Sequence, residues 1–204
     1  MMALTLAEAV AQLRDKASPK RRSAARRLGA LADVSAGPSL LDALRGETSV
    51  RRSWETQYEM VMALGACGYL PAVEFLRERA QQPTEDDAVH IALGDAITRL
   101  GSLAEGVSTP VEWCLDQGDP SLIEGALRAV AAVGRVPAAS TVDRILDLLD
   151  TLDPYDGLRY WAAVAAVKWP GERVRAFLES CAAGPRADVA EAAGVSLAGH
   201  GPGS

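Results

Sequence analysis

An apolar residue followed by a small or polar one recurs along this chain at nearly constant intervals: Leu28-Gly29, Leu64-Gly65, Leu100-Gly101, Val133-Gly134 and, more loosely, Val167-Lys168. The steps are about 36, 36, 33 and 34 residues, within the roughly 33–47 residues typical of units built from two helices. Such a unit cannot bury its apolar sides alone, so successive units must stack. In the first full unit, Ala24, Ala25, Leu28 and Leu31 fall at three- and four-residue spacing and make one apolar stripe. Leu40, Leu41 and Leu44 make a second. Neither helix is long enough to be stable by itself. Ser18-Pro19 is expected to open the first helix, Gly37-Pro38 to break the chain and Ser39 to cap the second helix.

The same period orders the remainder. An opening helix is expected over 5–16, with Thr5 and Glu8 at capping-box spacing. Helix pairs follow at 53–67 and 71–82. A third pair starts at Thr84 to Asp87, and Thr109-Pro110 opens its second helix. Asp119-Pro120 starts a fourth pair, whose second helix runs from near Ala138 to about Leu152. The fifth pair covers 158–169 and 172–183, and a closing helix covers 186–198. β-Branched and aromatic residues form no alternating run, so no sheet is expected. Hydrophobic content of 49% with only 5% aromatics leaves the packing to Ala, Leu and Val, which suits closely stacked helices. The expected fold is all-α, a right-handed α-solenoid of about five helical hairpins with terminal capping helices. It forms one domain over 1–200, with a disordered tail at 201–204.

The segment ARRLGALADVSAGPSLLDAL resembles a HEAT repeat, of the short bacterial kind also found in phycobilin lyases, and MALGACGYLPAVEFLRERA resembles it nearly as well. The resemblance covers roughly residues 20–200. It implies that the first helix of each pair lines the convex side of the stack and the second the concave side. The concave wall would then carry Asp42, Arg45, Glu74, Arg77, Glu78, Glu112, Trp113 and Asp116, followed by Asp143, Asp147, Asp150 and Glu179. Deoxyhypusine hydroxylases resemble this scaffold but hold iron through His-Glu pairs, and this chain has no His-Glu step. Alkylpurine DNA glycosylases of HEAT type need a basic concave groove with aromatic residues and a catalytic carboxylate. Trp113 and Asp116 imitate part of that set.

The net charge of −6 argues against a nucleic-acid binder. The one basic cluster, Lys16, Lys20, Arg21, Arg22, Arg26 and Arg27, reads as a solvated helix face. Cys67, Cys114 and Cys181 are odd in number and far apart, which fits buried reduced thiols rather than disulfides. No signal-peptide pattern and no apolar run of membrane-spanning length is present, so a cytoplasmic protein is expected. Eighteen Arg against three Lys points to a GC-rich bacterial genome. His90 has no partner at ligand spacing, and neither CxxC nor HExxH occurs, so no metal and no cofactor is expected. GxSxG, a phosphate loop and GxGxxG are also absent, so no catalytic residue is assigned. Trp54 reads as packing, and Trp113 either as an outward aromatic anchor or as a side chain packed on the adjacent helix.

The function expected from these features is a non-catalytic protein-interaction scaffold, or adaptor, that binds a protein or peptide on its concave face. The wall of Glu74, Arg77, Glu112, Trp113, Asp116, Asp143 and Asp147 would form the site, and its acidic bias would favour a basic partner. The alternative is an enzyme on the same scaffold, bilin lyase-like or DNA glycosylase-like.

Overall fold

The computed structural model describes residues 4–199, and every regular element in that range is helical. The tail expected at 201–204 lies outside the described residues. Twelve α-helices follow one another: α1 (Leu6–Gln12), α2 (Ser18–Leu31), α3 (Gly37–Glu47), α4 (Trp54–Cys67), α5 (Val73–Ala80), α6 (Asp87–Ala104), α7 (Ser108–Gln117), α8 (Pro120–Val133), α9 (Ala139–Asp150), α10 (Leu158–Ala165), α11 (Glu172–Ala182) and α12 (Ala187–Gly199). Short 3-10 turns at Val34–Ala36, Leu70–Ala72 and Ala166–Lys168 lead into α3 and α5 and follow α10. The chain is a HEAT-like all-helical solenoid.

Local chemistry sets most of these boundaries. Thr5 and Glu8 close a capping box on α1, the Glu8 carboxylate accepting from the Thr5 N–H at 2.8 Å. The Asp86 and Asp119 carboxylates accept from Ala88 and Leu122 N–H groups at the starts of α6 and α8. Glycines in the left-handed region end α4, α7 and α8, at Gly68, Gly118 and Gly134. Two expectations need correction. Ser18 is the first helical residue rather than a cap, and its hydroxyl reaches Thr56 Oγ1 at 2.7 Å across to the next unit. Gly37-Pro38 does not break the chain. It lies in the first turn of α3, where proline loses no useful donor, and Ser39 sits inside that helix.

The twelve helices form two rows. The even-numbered helices α2, α4, α6, α8, α10 and α12 pack side by side in sequence, whereas the odd-numbered ones touch their row neighbours sparsely. Small residues bring the even row together. A Cβ on Gly29 would lie 3.3 Å from Ala63 Cα, and one on Gly65 3.0 Å from Ala96 Cα. The closest crossing joins α6 and α8. A Cβ on Gly125 would come within 2.7 Å of the Asp95 nitrogen and inside the Ile91 carbonyl oxygen, and a Cβ on Gly94 would collide with the Leu122 carbonyl in the same way. Pairs counted from α1 leave no helix over and make the even row the second helix of each pair. The expected division into a lone opening helix, five hairpins and a lone closing helix shifts this pairing by one helix.

The core lies between the rows and is made of Leu, Ala, Val and Ile, with Trp169 as its largest fully buried side chain. The three cysteines are buried and unpaired with one another. Burial pushes the Cys114 thiol up to about 12, and the Cys67 and Cys181 thiols shift upward for the same reason. No helix among the described residues is long and apolar enough to cross a membrane.

Two outcomes follow from this packing. Gly125→Ala should lower the unfolding free energy by about 1–3 kcal/mol, the range of overpacked cores, because backbone must move to admit the methyl group. Gly194→Ala, whose added Cβ meets nothing within 4 Å, should raise it by about 0.5–1 kcal/mol. Urea denaturation of both variants reads the opposite signs. At pH 8, a thiol reagent such as Ellman's should label none of the three cysteines rapidly in the folded protein and all of them in denaturant.

Candidate functional site

The residues expected to form a binding wall all lie in the odd row: Glu74 and Arg77 in α5, Glu112, Trp113 and Asp116 in α7, Asp143 and Asp147 in α9. Most of them are exposed and also partnered within the chain. Arg77 lies over the Trp113 ring at 5.6 Å and approaches both Glu74 and Glu105, at 3.5 and 3.6 Å. Trp113 is therefore half-buried under a guanidinium rather than an outward anchor. The Glu112 carboxylate accepts the Thr141 hydroxyl at 2.5 Å, and Asp116 pairs with Arg144 at 2.6 Å. Arg173, on α11, gathers Asp143, Asp147 and Asp150 at 3.3, 2.5 and 3.1 Å. These bridges hold together helices whose backbones stand apart. The basic cluster of α2 is likewise engaged: Arg21 with Glu47, Arg22 with Glu55 and Arg26 with Glu59.

The even row carries a different constellation, which sequence reasoning passed over. Tyr58, Asp95, Arg128 and Trp161 lie on four successive even-numbered helices, α4, α6, α8 and α10. Asp95 is completely buried. It sits beside Gly94, where α6 and α8 approach most closely, so its carboxylate cannot reach water past α8. Two guanidiniums satisfy it. Arg99, one turn along α6, donates through Nε to Oδ1 and through Nη2 to Oδ2, the latter at 3.3 Å. Arg128 Nε stands 3.8 Å from Oδ2. Arg128 also donates to the Tyr58 hydroxyl at 3.4 Å, and its guanidinium lies 5.8 Å from the Trp161 ring centroid. Tyr160 meets Trp161 edge to face, with centroids 5.1 Å apart.

Burial alone would lower the Arg128 pKa, but hydrogen bonding to Tyr58 and the charges of Asp95 and Glu124 outweigh it and hold the group above its ordinary value. Arg128 is therefore a permanent cation, about one-third exposed. The cluster offers one buried anion, two cations that reach the surface, a phenol hydroxyl and two aromatic rings. Tyr58 accepts from Arg128, which leaves its own proton free to be donated outward. The signal for this site in the sequence is a carboxylate set inside the apolar stretch VHIALGDAITRLG. Among the described residues, no group of three His, Cys, Asp or Glu side chains is placed to hold a metal ion. His90 is half-buried and bonds Asp119 Oδ2 at 3.0 Å and the Gln82 carbonyl at 3.3 Å.

No family model and no curated protein sequence matches the chain. Among solved structures it is similar to human deoxyhypusine hydroxylase in complex with glycerol, at 17% identity and a TM-score of 0.41, over 96% of this chain and 84% of that one. The expectation of a non-catalytic adaptor that binds through this wall is corrected. The carboxylates at 116, 143, 147 and 150 are engaged by Arg144 and Arg173 rather than unpaired for a basic partner.

The two carboxylate sites should respond differently to substitution. Asp95→Asn leaves Arg99 and Arg128 side by side without a counter-charge. It should cost about 2–4 kcal/mol in urea denaturation, below the roughly 3–5 kcal/mol of a fully buried pair because both arginines reach water. Asp147→Asn, in the exposed group around Arg173, should leave the transition midpoint unmoved.

Proposed function

We propose that the chain is an enzyme on a helical-repeat scaffold that acts on a small planar ligand carrying an anionic group, with its site at Arg128. The observation that carries this reading is the buried Asp95 paired with two guanidiniums, of which Arg128 also meets the Tyr58 hydroxyl and the Trp161 ring. Buried ion pairs add little to stability, whereas side chains locked in place make a prepared binding site.

In this reading Arg128 and Arg99 anchor the anion through their outward N–H groups. Trp161 and Tyr160 border the planar body. Tyr58 donates a proton to the bound ligand. Asp95 touches no ligand and is a positioning residue. The surrounding charges favour a small ligand over a polyanion, because Glu55 and Glu59 already neutralise Arg22 and Arg26 on the same row. Of the two enzyme types that the repeat brings to mind, the bilin lyase-like one suits this site better than the glycosylase-like one. A linear tetrapyrrole is an extended conjugated body with carboxylate side chains, which is the chemistry that an arginine beside aromatic rings recognises.

Biliverdin and adenosine monophosphate serve as probes of the two ligand types, with binding followed by absorbance for the first and by calorimetry for the second. Saturable binding of biliverdin is expected, weakened about 10- to 150-fold by Arg128→Ala, which corresponds to the roughly 1.5–3 kcal/mol of a charge-assisted hydrogen bond. Tyr58→Phe should weaken it less, about 2- to 10-fold, in line with the roughly 0.5–1.5 kcal/mol of a neutral hydrogen bond. If neither probe binds saturably, the reading fails. If only the nucleotide binds, the bilin assignment fails and the anion site stands.

A further inference from the structure

A second feature of the even row lies one helix beyond Trp161. A cleft of about 540 Å³ opens between α8, α10 and α12. That volume falls in the roughly 300–1,000 Å³ range of small-molecule sites. Its walls are apolar: Ala131, Val164, Val167, Ala192 and Val195, with the Tyr160 ring at one side. Val195 is 67% exposed and Val167 37%, which is unusual for β-branched residues sharing a concave surface.

The polar groups of the cleft are of one sign. Asp188 and Glu191 line it, and among the described residues no Lys, Arg or His does. Asp188 is held by both Nε and Nη2 of Arg186, at 3.0 and 2.5 Å, and that guanidinium keeps its carboxyl below the usual range. Ser196 donates its hydroxyl to the Ala163 carbonyl at 2.7 Å and has no proton left to offer. The Glu191 carboxylate is exposed and makes no hydrogen bond or ion pair with another described residue. An apolar hollow with an aromatic ring and one uncompensated carboxylate is complementary to a cation on an apolar body. The carboxylate supplies the charge, and the tyrosine face adds cation–π attraction.

We infer that the cleft between α8, α10 and α12 binds an organic ammonium ion, a protonated or quaternary amine on an apolar body, with Glu191 as its counter-ion. The inference goes beyond the anion site at Arg128 and does not depend on it, since the two sites would take opposite charges and share no charged residue.

Benzyltrimethylammonium is a suitable probe, with benzyl alcohol and benzoate as neutral and anionic analogues of similar body. Titrations of wild-type protein, followed by intrinsic tyrosine and tryptophan fluorescence and by calorimetry, should show saturable binding in the order cation, neutral, anion. Glu191→Gln should reduce cation affinity at least fivefold and leave the neutral analogue unchanged. Val164→Phe should fill the cleft and abolish binding of both. Glu191 and Val195 are exposed, so Glu191→Gln and a second blocking variant, Val195→Arg, should keep the wild-type urea midpoint even if Val164→Phe does not. Equal affinity for the three probes, no saturable binding, or an unaltered cation affinity in Glu191→Gln would each overturn the inference. Arg128→Ala should leave this binding as it is, which separates its failure from failure of the anion-site reading.

Discussion

The crossing of α6 and α8 governs much of this structure. Gly94 faces the Leu122 carbonyl and Gly125 faces the Ile91 carbonyl, so each helix lays backbone against backbone. No residue with a Cβ fits at either position. The gain is a dense, continuous contact along the middle of the even row, of the kind that dispersion forces reward strongly because few voids remain. The consequence is chemical as well as mechanical. Asp95 follows Gly94 directly, and Arg128 stands one turn after Gly125. The close approach that removes side chains at 94 and 125 also encloses the carboxylate at 95 and brings the guanidinium at 128 beside it.

The odd row solves the opposite problem. Its helices stand too far apart for small residues to bridge, so long side chains span the gaps: Arg45 over Phe75, Arg77 over Trp113, Arg144 to Asp116, and Arg173 to three carboxylates. Arginine suits this task, because its fork satisfies several acceptors at once and its stem covers apolar surface. A repeat protein with one row in backbone contact and the other tied by ion pairs distributes its electrostatics unevenly. The exposed pairs are screened by water and tune the surface, whereas the two buried carboxylates, Glu47 and Asp95, are each fixed by arginine.

The helices were legible in the sequence because their signals are local. Apolar stripes at three- and four-residue spacing, Asp86 and Asp119 as caps, and the glycines at 68, 118 and 134 act within one or two turns. The pairing of helices was less legible, since a strict alternation reads equally well from α1 or from α2. Trp113 looked outward because its angle on α7 is known, while the arginine that covers it comes from α5, 36 positions earlier in the chain. Asp95 reads locally as half of an ordinary i,i+4 pair with Arg99. Only the packing of α8 against α6 makes it a buried charge shared by two units.

The Asp95 group bears on function because stability does not explain it. A leucine or methionine at 95, with apolar partners at 99 and 128, would fill the same space without the desolvation cost of a carboxylate and two guanidiniums. What the ionic arrangement supplies and an apolar one cannot is orientation. Arg128 is constrained by three groups, Asp95, Tyr58 and Trp161, and stays about one-third exposed. A side chain with four rotatable bonds ordinarily loses considerable entropy when it grips a ligand, and one already immobilised loses little. The carboxylate at 95 is therefore better understood as the fixture that aims Arg128 than as a contribution to the core. The glycines that close the helices around it are part of the same device.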